Sequence, residues 1–386
     1  MKFFMEFGAA SLNKYGEELC GDKVAFLNDA DSFIAVLSDG LGSGVKANIL
    51  STLTSKIAMT MLKEGLSIEE VVDTLIHTLP ICSVRKLAYS TFSIIQVNKE
   101  GIAYIVEFDN PGVFFLRHGK IYPLGKKEKQ LNERRIYESH FTLEEKDTLV
   151  FVSDGVIHAG VGQILNLGWS WNEVAQYLQS LEIEALSAKK ITTSLLGVCE
   201  DLYVNQPGDD TTVVTVKAIK PKIATLFSGP PSNQERDQEV VEKLLHTQGK
   251  KIVCGGTAAH IVSRITGRAV QTSFKMSNPS IPPIGYIQGI DLVTEGVLTL
   301  QGAVEVLEKV RDSTDVSFLD AQDGASMLAR MLFEECTHIH MLVGRAINPA
   351  HQNPDFPQAL SIKLNILHKL ERILIELGKI VKIEMV

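Results

Sequence analysis

Two apolar runs in this sequence end in the same tripeptide, which places a carboxylate and a glycine at the end of a buried strand. Residues 33–37 run into Ser38-Asp39-Gly40, and residues 148–152 run into Ser153-Asp154-Gly155. A third acidic element, Gly208-Asp209-Asp210, precedes another apolar strand. The strand holds its terminal Asp rigidly, and the glycine lets the chain turn so sharply that its carbonyl also faces the site. Carboxylate and carbonyl oxygens are the ligands that Mg²⁺ and Mn²⁺ prefer.

The combination of these elements predicts a two-metal site rather than three unrelated turns. A single Asp-Gly after a strand is usually only a turn, because Asp bonds to its own backbone and Gly adopts positive φ. Here two Ser-Asp-Gly tripeptides and Gly208-Asp209-Asp210 occur within one domain, and Asp22, in Gly21-Asp22, adds a fourth acidic position before a strand. Two ions about 3.5–4 Å apart lower the pKa of a shared water and direct it at phosphorus. Hydrolysis then needs no covalent nucleophile.

Length and charge restrict the class of protein. The chain has 386 residues, which favours two domains, and its 45% hydrophobic and 22% charged residues are typical of a globular protein. A net charge of -8 argues against non-specific nucleic-acid binding. Five scattered cysteines favour a reduced, cytoplasmic compartment over a disulfide framework. We expect no signal peptide at the N-terminus and no membrane span, since charged residues interrupt the apolar runs.

The order of the elements predicts an α+β fold for residues 1–219. Apolar residues recur every four positions from Val45 to Met61, which predicts a helix with this stripe packed in the core. Ser67 and Glu70 form a capping-box pattern for a second helix over 68–78, and a further helix is predicted over 183–203. Strands lie before and after these helices without regular alternation, so we expect mainly antiparallel sheets flanked by helices.

The remainder of the chain has a different order of predicted strands and helices. Lys220-Pro221-Lys222 is the predicted boundary, and strands alternate with helices over 223–386, which predicts a separate α/β domain. Gly255-Gly256-Thr257 lies between a strand and a helix, where backbone N–H groups attract anions, although a tight turn explains the motif equally well. Ser228-Gly229-Pro230-Pro231 is interpreted in the same way, with a loop preferred over a binding site. We recognise no family here, and expect a regulatory or ligand-sensing domain that takes a small ligand or a protein.

Residues 1 to about 218 resemble a known family in the order and spacing of four motifs. These are Gly21-Asp22, the stretch from Leu37 to Ala47, Ser153-Asp154-Gly155 and the run from Gly208 to Val213. They are similar to the motifs of the metal-dependent type 2C (PPM) protein serine/threonine phosphatases, in particular the SpoIIE-like branch. The resemblance implies an α-β-β-α sandwich with two Mn²⁺ or Mg²⁺ ions. It also implies hydrolysis of phosphoserine or phosphothreonine on a bacterial signalling partner by a metal-activated water.

The resemblance also implies roles for individual residues. Asp39 would bridge both ions, and the Gly40 carbonyl would join it. Asp154 and Asp209 would ligate one ion and Asp22 the other, while Asp210 would orient a bound water or cap the turn. Asp39, Asp154 and Asp209 are therefore the predicted catalytic residues, and no organic cofactor is expected.

Two alternatives remain open at this stage. The same metal site could act on small phosphoesters, or the domain could be a phosphoprotein-binding or scaffold module with weak or no catalysis. The sequence also departs from the family, because Ile157-His158 stands where a Thr-Glu pair is common, and we find no N-terminal Arg to clamp a phosphate. His158 is considered as a proton donor, although an exposed loop residue is the simpler interpretation.

Overall fold

The computed structural model divides the chain into two compact units, Met1–Lys220 and Pro221–Val386. It describes residues 1–78, 90–131, 134–272, 284–313, 316–346 and 358–386. Within these ranges, no helix combines the length and the apolar character that a membrane span requires.

Unit 1 contains two antiparallel sheets in the part of the chain that the structure describes. The sheet that carries Asp39 has the order β2-β3-β4-β5-β9-β8, and the other sheet has the order β1-β11-β10-β6-β7. The strands are β1 Phe4–Leu12, β2 Asp22–Asn28, β3 Ser32–Gly40, β4 Ser90–Asn98, β5 Ile102–Phe108, β6 Phe114–Arg117, β7 Lys120–Ile121, β8 Lys127–Leu131, β9 Arg134–Thr142, β10 Thr148–Val152 and β11 Thr211–Ile219.

Helices cover the outer face of each sheet, so unit 1 has the predicted α-β-β-α architecture. The helices are α1 Gly44–Lys63, α2 Ile68–Thr78, the short α3 Asp154–Ile157, α4 Trp171–Ser180 and α5 Ala188–Leu202. One apolar core, which includes Phe33 and Val214, fills the space between the sheets. Two further cores lie between α1–α2 and the six-stranded sheet and between α4–α5 and the five-stranded sheet. The α+β prediction is confirmed.

The helical stripe predicted for α1 is only partly correct. Val45, Ile49 and Leu53 are exposed by 61%, 53% and 50%, so this half of the stripe does not pack in the core. The buried face instead carries small residues such as Ala47, Ser51 and Ala58, which let the helix lie close to the sheet. Periodicity located the helix correctly, but the small residues beside the stripe, not the stripe itself, decided which face is buried.

The helix predicted over 183–203 begins later, at Ala188. Ser187 caps α5 by accepting a hydrogen bond from the Lys190 amide. Carbonyls of the non-helical segment before it accept hydrogen bonds from a lysine side chain. The buried Lys217 Nζ donates to the carbonyls of Ile183, Glu184 and Leu186 at 2.8, 3.0 and 2.6 Å.

Unit 2 is a doubly wound α/β sheet with the order β14-β15-β16-β13-β12-β17-β18, in which β16-β13-β12-β17-β18 are parallel. Helices α6 and α7 pack on one face, and α8, α9 and α10 pack on the other. Its elements are β12 Ile223–Ser228, α6 Asp237–His246, β13 Lys250–Cys254, α7 Gly256–Thr266, β14 Gln271–Thr272, β15 Gly285–Tyr286, β16 Leu292–Thr294, α8 Val297–Asp312, α9 Gly324–Glu334, β17 His338–Val343, α10 Gln358–Glu376 and β18 Ile380–Met385.

Candidate metal centre

Strand pairing brings Asp22 and Asp39 together at one edge of the six-stranded sheet. Asp22 is the first residue of β2 and lies directly opposite Asp39 of β3 in the antiparallel register. The Gly40 amide donates to the Gly21 carbonyl at 3.1 Å, which continues this pairing past the strand end. Two carboxylates seventeen positions apart in the sequence thus become cross-strand neighbours.

The five-stranded sheet supplies the other carboxylates, again through antiparallel pairing at strand ends. Val152 pairs with Val213, so the end of β10 meets the start of β11. Beyond that pair, the Ser153 amide donates to the Thr212 carbonyl at 3.0 Å, and the Ser153 hydroxyl accepts from the Thr212 amide at 2.8 Å. Asp154 directly follows Ser153, and Asp210 directly precedes the first residue of β11, so both lie at the same corner.

A cleft of about 520 Å³ opens where the two sheet edges meet. Of the six residues predicted from sequence, Asp39, Gly40, Asp154, Asp209 and Asp210 line it. Asp22 does not line the cleft. It is 4% exposed and lies behind the lining, where its charge raises the pKa of Asp39. His158 is exposed and is not among the residues that line the cleft.

Some carboxylate oxygens of this site are buried without a partner. Both side-chain oxygens of Asp22 and Oδ2 of Asp210 lack a hydrogen bond of good geometry within the described residues. Burial raises the pKa of Asp22 to about 7, and the hydroxyls of Thr212 and Ser153 lie near enough to offset part of this effect. Buried carboxylates without donors are unfavourable unless a cation or a proton compensates them.

The pKa of Asp39 is raised further, to about 9. Burial is the main cause, and the charges of Asp22, Asp154, Asp209 and Asp210 add to it. The pKa of Asp209 is also raised, mainly by burial and then by Asp154, while Lys14 opposes the shift. The carboxylates repel one another across the cleft, which favours occupation by positive charge.

Two glycines hold this corner closely against neighbouring backbone. A side chain at Gly40 would overlap the Ala47 carbonyl in the first turn of α1. A side chain at Gly155 would overlap the Asp210 carbonyl. The Gly155 carbonyl also accepts a hydrogen bond from the Tyr203 hydroxyl at 2.8 Å. The glycine of each Ser-Asp-Gly tripeptide is therefore required by close packing.

Lys14 is the residue that sequence reasoning missed. It lines the cleft, its amide donates to Asp210 Oδ1 at 3.0 Å, and its Nζ lies 3.9 Å from Asp209 Oδ1. Thr91 and the exposed Asp109 also line the cleft and were not predicted. The only signal for Lys14 was its place after β1, a strand that the sequence analysis did not recognise.

The donor set fits hard divalent cations, because it consists of carboxylates and one glycine carbonyl. The unpartnered oxygens of Asp22 and Asp210 support the same conclusion. However, no group of three or more His, Cys, Asp or Glu side chains in the described ranges is drawn together tightly enough to hold an ion as it stands. The predicted residues other than Asp22 nevertheless share one cleft.

Comparisons with known proteins find matches to part of this chain. Residues 29–219 match the family model of stage II sporulation protein E (SpoIIE). The chain is 28% identical over 192 residues to phosphoserine phosphatase RsbX of Bacillus subtilis (strain 168), a match that covers 48% of this chain and 90% of RsbX.

Two solved structures overlap unit 1. One contains the PP2C phosphatase domain and a fragment of the regulatory domain of SpoIIE from Bacillus subtilis, with 21% identity, a TM-score of 0.48 and coverage of 56% of this chain and 62% of that chain. The other is RsbX in complex with magnesium, with 20% identity, a TM-score of 0.41 and coverage of 56% and 96%.

Proposed function

Residues 29–219 of this chain belong to the SpoIIE-like type 2C phosphatases, and from that premise we propose that unit 1 hydrolyses phosphoserine or phosphothreonine on a protein partner with the help of two Mn²⁺ or Mg²⁺ ions. The similarity to an enzyme named as a phosphoserine phosphatase supports the choice of phosphoserine. The observation that carries the proposal is the cleft itself, which is lined by four of the predicted carboxylates and by Gly40, with Asp22 buried nearby.

The proposed ligands divide between the two sheets. Asp39 lies at the meeting point and would bridge both ions, with the Gly40 carbonyl beside it. Asp22 would hold one ion from the six-stranded sheet, and Asp154 and Asp209 would hold the other from the five-stranded sheet. When bound, such ions polarise a phosphate and generate the hydrolytic nucleophile from water near neutral pH.

The residues of the chain itself have two further tasks. The buried carboxylates remain ionised only when positive charge compensates them, so Asp22 and Asp39 link ion binding to loss of their protons. Lys14 is the only cationic side chain among the described residues that line the cleft. We assign to it the attraction of the substrate phosphate, a role that suits a flexible ammonium acting as a point charge.

The proposal also covers unit 2 and the alternative of a scaffold protein. Unit 2 is proposed as a regulatory or ligand-sensing domain, since a doubly wound sheet is a common scaffold for small ligands. A scaffold protein without catalysis would have no need to keep the buried, unpartnered carboxylate oxygens of Asp22 and Asp210, because they destabilise the fold.

The test is hydrolysis by the full-length chain of p-nitrophenyl phosphate and of a phosphoserine peptide, with Mn²⁺ or with EDTA. We expect Mn²⁺-dependent turnover of both, lost in Asp154→Asn. The control variant is Asp201→Asn, an exposed carboxylate on α5 that should leave the rate unchanged. Turnover of the aryl phosphate alone would instead indicate a small-phosphoester enzyme. Absence of turnover in the unaltered chain would leave the scaffold alternative.

A further inference from the structure

The strand order of unit 2 defines a topological switch point between β12 and β17. From β12 the chain winds outward through β13 to β16, then returns to the other side of β12 and winds outward through β17 to β18. In doubly wound sheets, ligands bind outside the carboxyl ends of the strands at this point, because the two connections leave in opposite directions. The carboxyl ends here are Ser228-Gly229 and Val343-Gly344.

A lysine ammonium lies at this place. Lys363 extends from α10, and its Nζ donates to the Gly344 carbonyl at 2.6 Å. A side chain at Gly229 would overlap the same Nζ, so the glycine after β12 is what makes room for the ammonium. Gly229 has a φ of 80°, which a residue with a side chain rarely adopts. Two strand ends and one helix therefore converge on a single positive charge.

The ammonium has no counter-charge among the residues that the structure describes. Lys363 is half-buried, and its ammonium forms no ion pair with an Asp or Glu of these residues. Burial lowers its pKa, and no neighbouring charge contributes to the shift. One neutral carbonyl uses one of its three N–H donors. A half-buried cation without an anion is unfavourable, and the exposed Arg345, directly after Gly344, adds positive charge at the same edge.

We propose that the switch point of unit 2 binds the phosphate group of a small molecule, with Lys363 as the residue that pairs with it. Phosphate is favoured over carboxylate because a single lysine acts as a point charge, whereas planar carboxylates are best held by a bidentate Arg. The phosphate group is shared by free inorganic phosphate and by nucleotides, and the experiment separates these two sources.

The first measurement is the acetylation rate of each lysine in the full-length protein, followed by mass spectrometry in EDTA. Inorganic phosphate or adenosine monophosphate is added as the probe. We expect saturable protection of Lys363, with the rate falling about tenfold at a ligand concentration about ten times Kd. Lys369, exposed on the same helix, is the internal control and should not change. Because the readout is specific for each residue, phosphate bound in the cleft of unit 1 does not affect it.

The outcomes are distinct. Protection by both probes shows that the phosphate group alone suffices, and protection only by the nucleotide identifies a nucleotide site. Protection by neither overturns the proposal, as does equal protection of Lys369. Calorimetry gives a second test, in which Lys363→Met removes one phosphate-binding event that Lys369→Met retains. If Lys363→Met does not fold, the protection experiment on the unaltered chain still decides. Phosphatase activity enters neither test, so the two proposals fail independently.

Discussion

Substitution of Asp39 by Asn should stabilise the metal-free protein, even though it should abolish activity. The pKa of Asp39 is raised from 3.8 to about 9, so folding favours its protonated form. A raised carboxyl pKa means that stability is greatest below pH 3.8 and falls as the pH rises towards 9. Asn is a neutral replacement of the same shape, and it removes this dependence.

The magnitude follows from the pKa interval. Between 3.8 and pH 7 lie about three pH units, each corresponding to about 1.4 kcal/mol, so the uptake of a proton by Asp39 on folding would cost roughly 4 kcal/mol at pH 7. The neighbouring carboxylates share protons with Asp39, which reduces the net effect. We therefore expect Asp39→Asn to raise the free energy of unfolding by about 1–3 kcal/mol at pH 7. Near pH 4 the difference should vanish.

Urea unfolding in EDTA at several pH values measures this effect. The matched control is Asp109→Asn, which removes an exposed carboxylate from the lining of the same cleft and should change stability little. With saturating Mn²⁺ the order should reverse, because the unaltered chain gains binding energy that the variant loses. The reasoning is refuted if Asp39→Asn is less stable than the unaltered chain in EDTA at pH 7, or if its stabilisation is the same at pH 4.

Three further predictions concern single residues. Lys14→Met should raise KM for p-nitrophenyl phosphate about tenfold with kcat nearly unchanged, since about 1.4 kcal/mol of charge attraction is lost. Steady-state kinetics with Mn²⁺ measure both constants, and a loss confined to kcat would contradict this prediction. Gly40→Ala should destabilise unit 1 by about 2 kcal/mol or more in urea, because its methyl group overlaps the Ala47 carbonyl, whereas Gly125→Ala, with open space around it, should be nearly neutral. Lys217→Met should lower the free energy of unfolding by about 3 kcal/mol, because three carbonyls lose their hydrogen-bond donor. Thermal unfolding tests this prediction, and an unchanged Tm would show that these hydrogen bonds do not contribute to stability.

The sequence predicted the acidic corners well because each depends on local chemistry. An apolar run specifies a buried strand, and β3 and β10 form as expected, although Gly40 remains in β3 and Gly155 lies in α3 rather than in a sharp turn. The antiparallel pair β8 and β9 was not predicted, since its many charged residues leave no clear alternation of apolar and polar residues. The strand order of unit 2 was equally inaccessible, because it depends on pairing between distant segments. The positions of Lys14 and Lys363 could not be predicted either, since only the tertiary fold brings their side chains beside the residues that they contact.

The pairing of β1 with β11 imposes an order on how unit 1 forms during synthesis. Phe4 lies opposite Ile219, so the first strand of the five-stranded sheet has its partner among the last residues of the unit to leave the ribosome. Chain entropy opposes such a long-range closure until the intervening segments have folded. The nascent chain must therefore carry β1 with an unpaired edge for most of its elongation. Asp209 and Asp210 also arrive in this last segment, so a ribosome-bound fragment that ends before them presents an incomplete cleft.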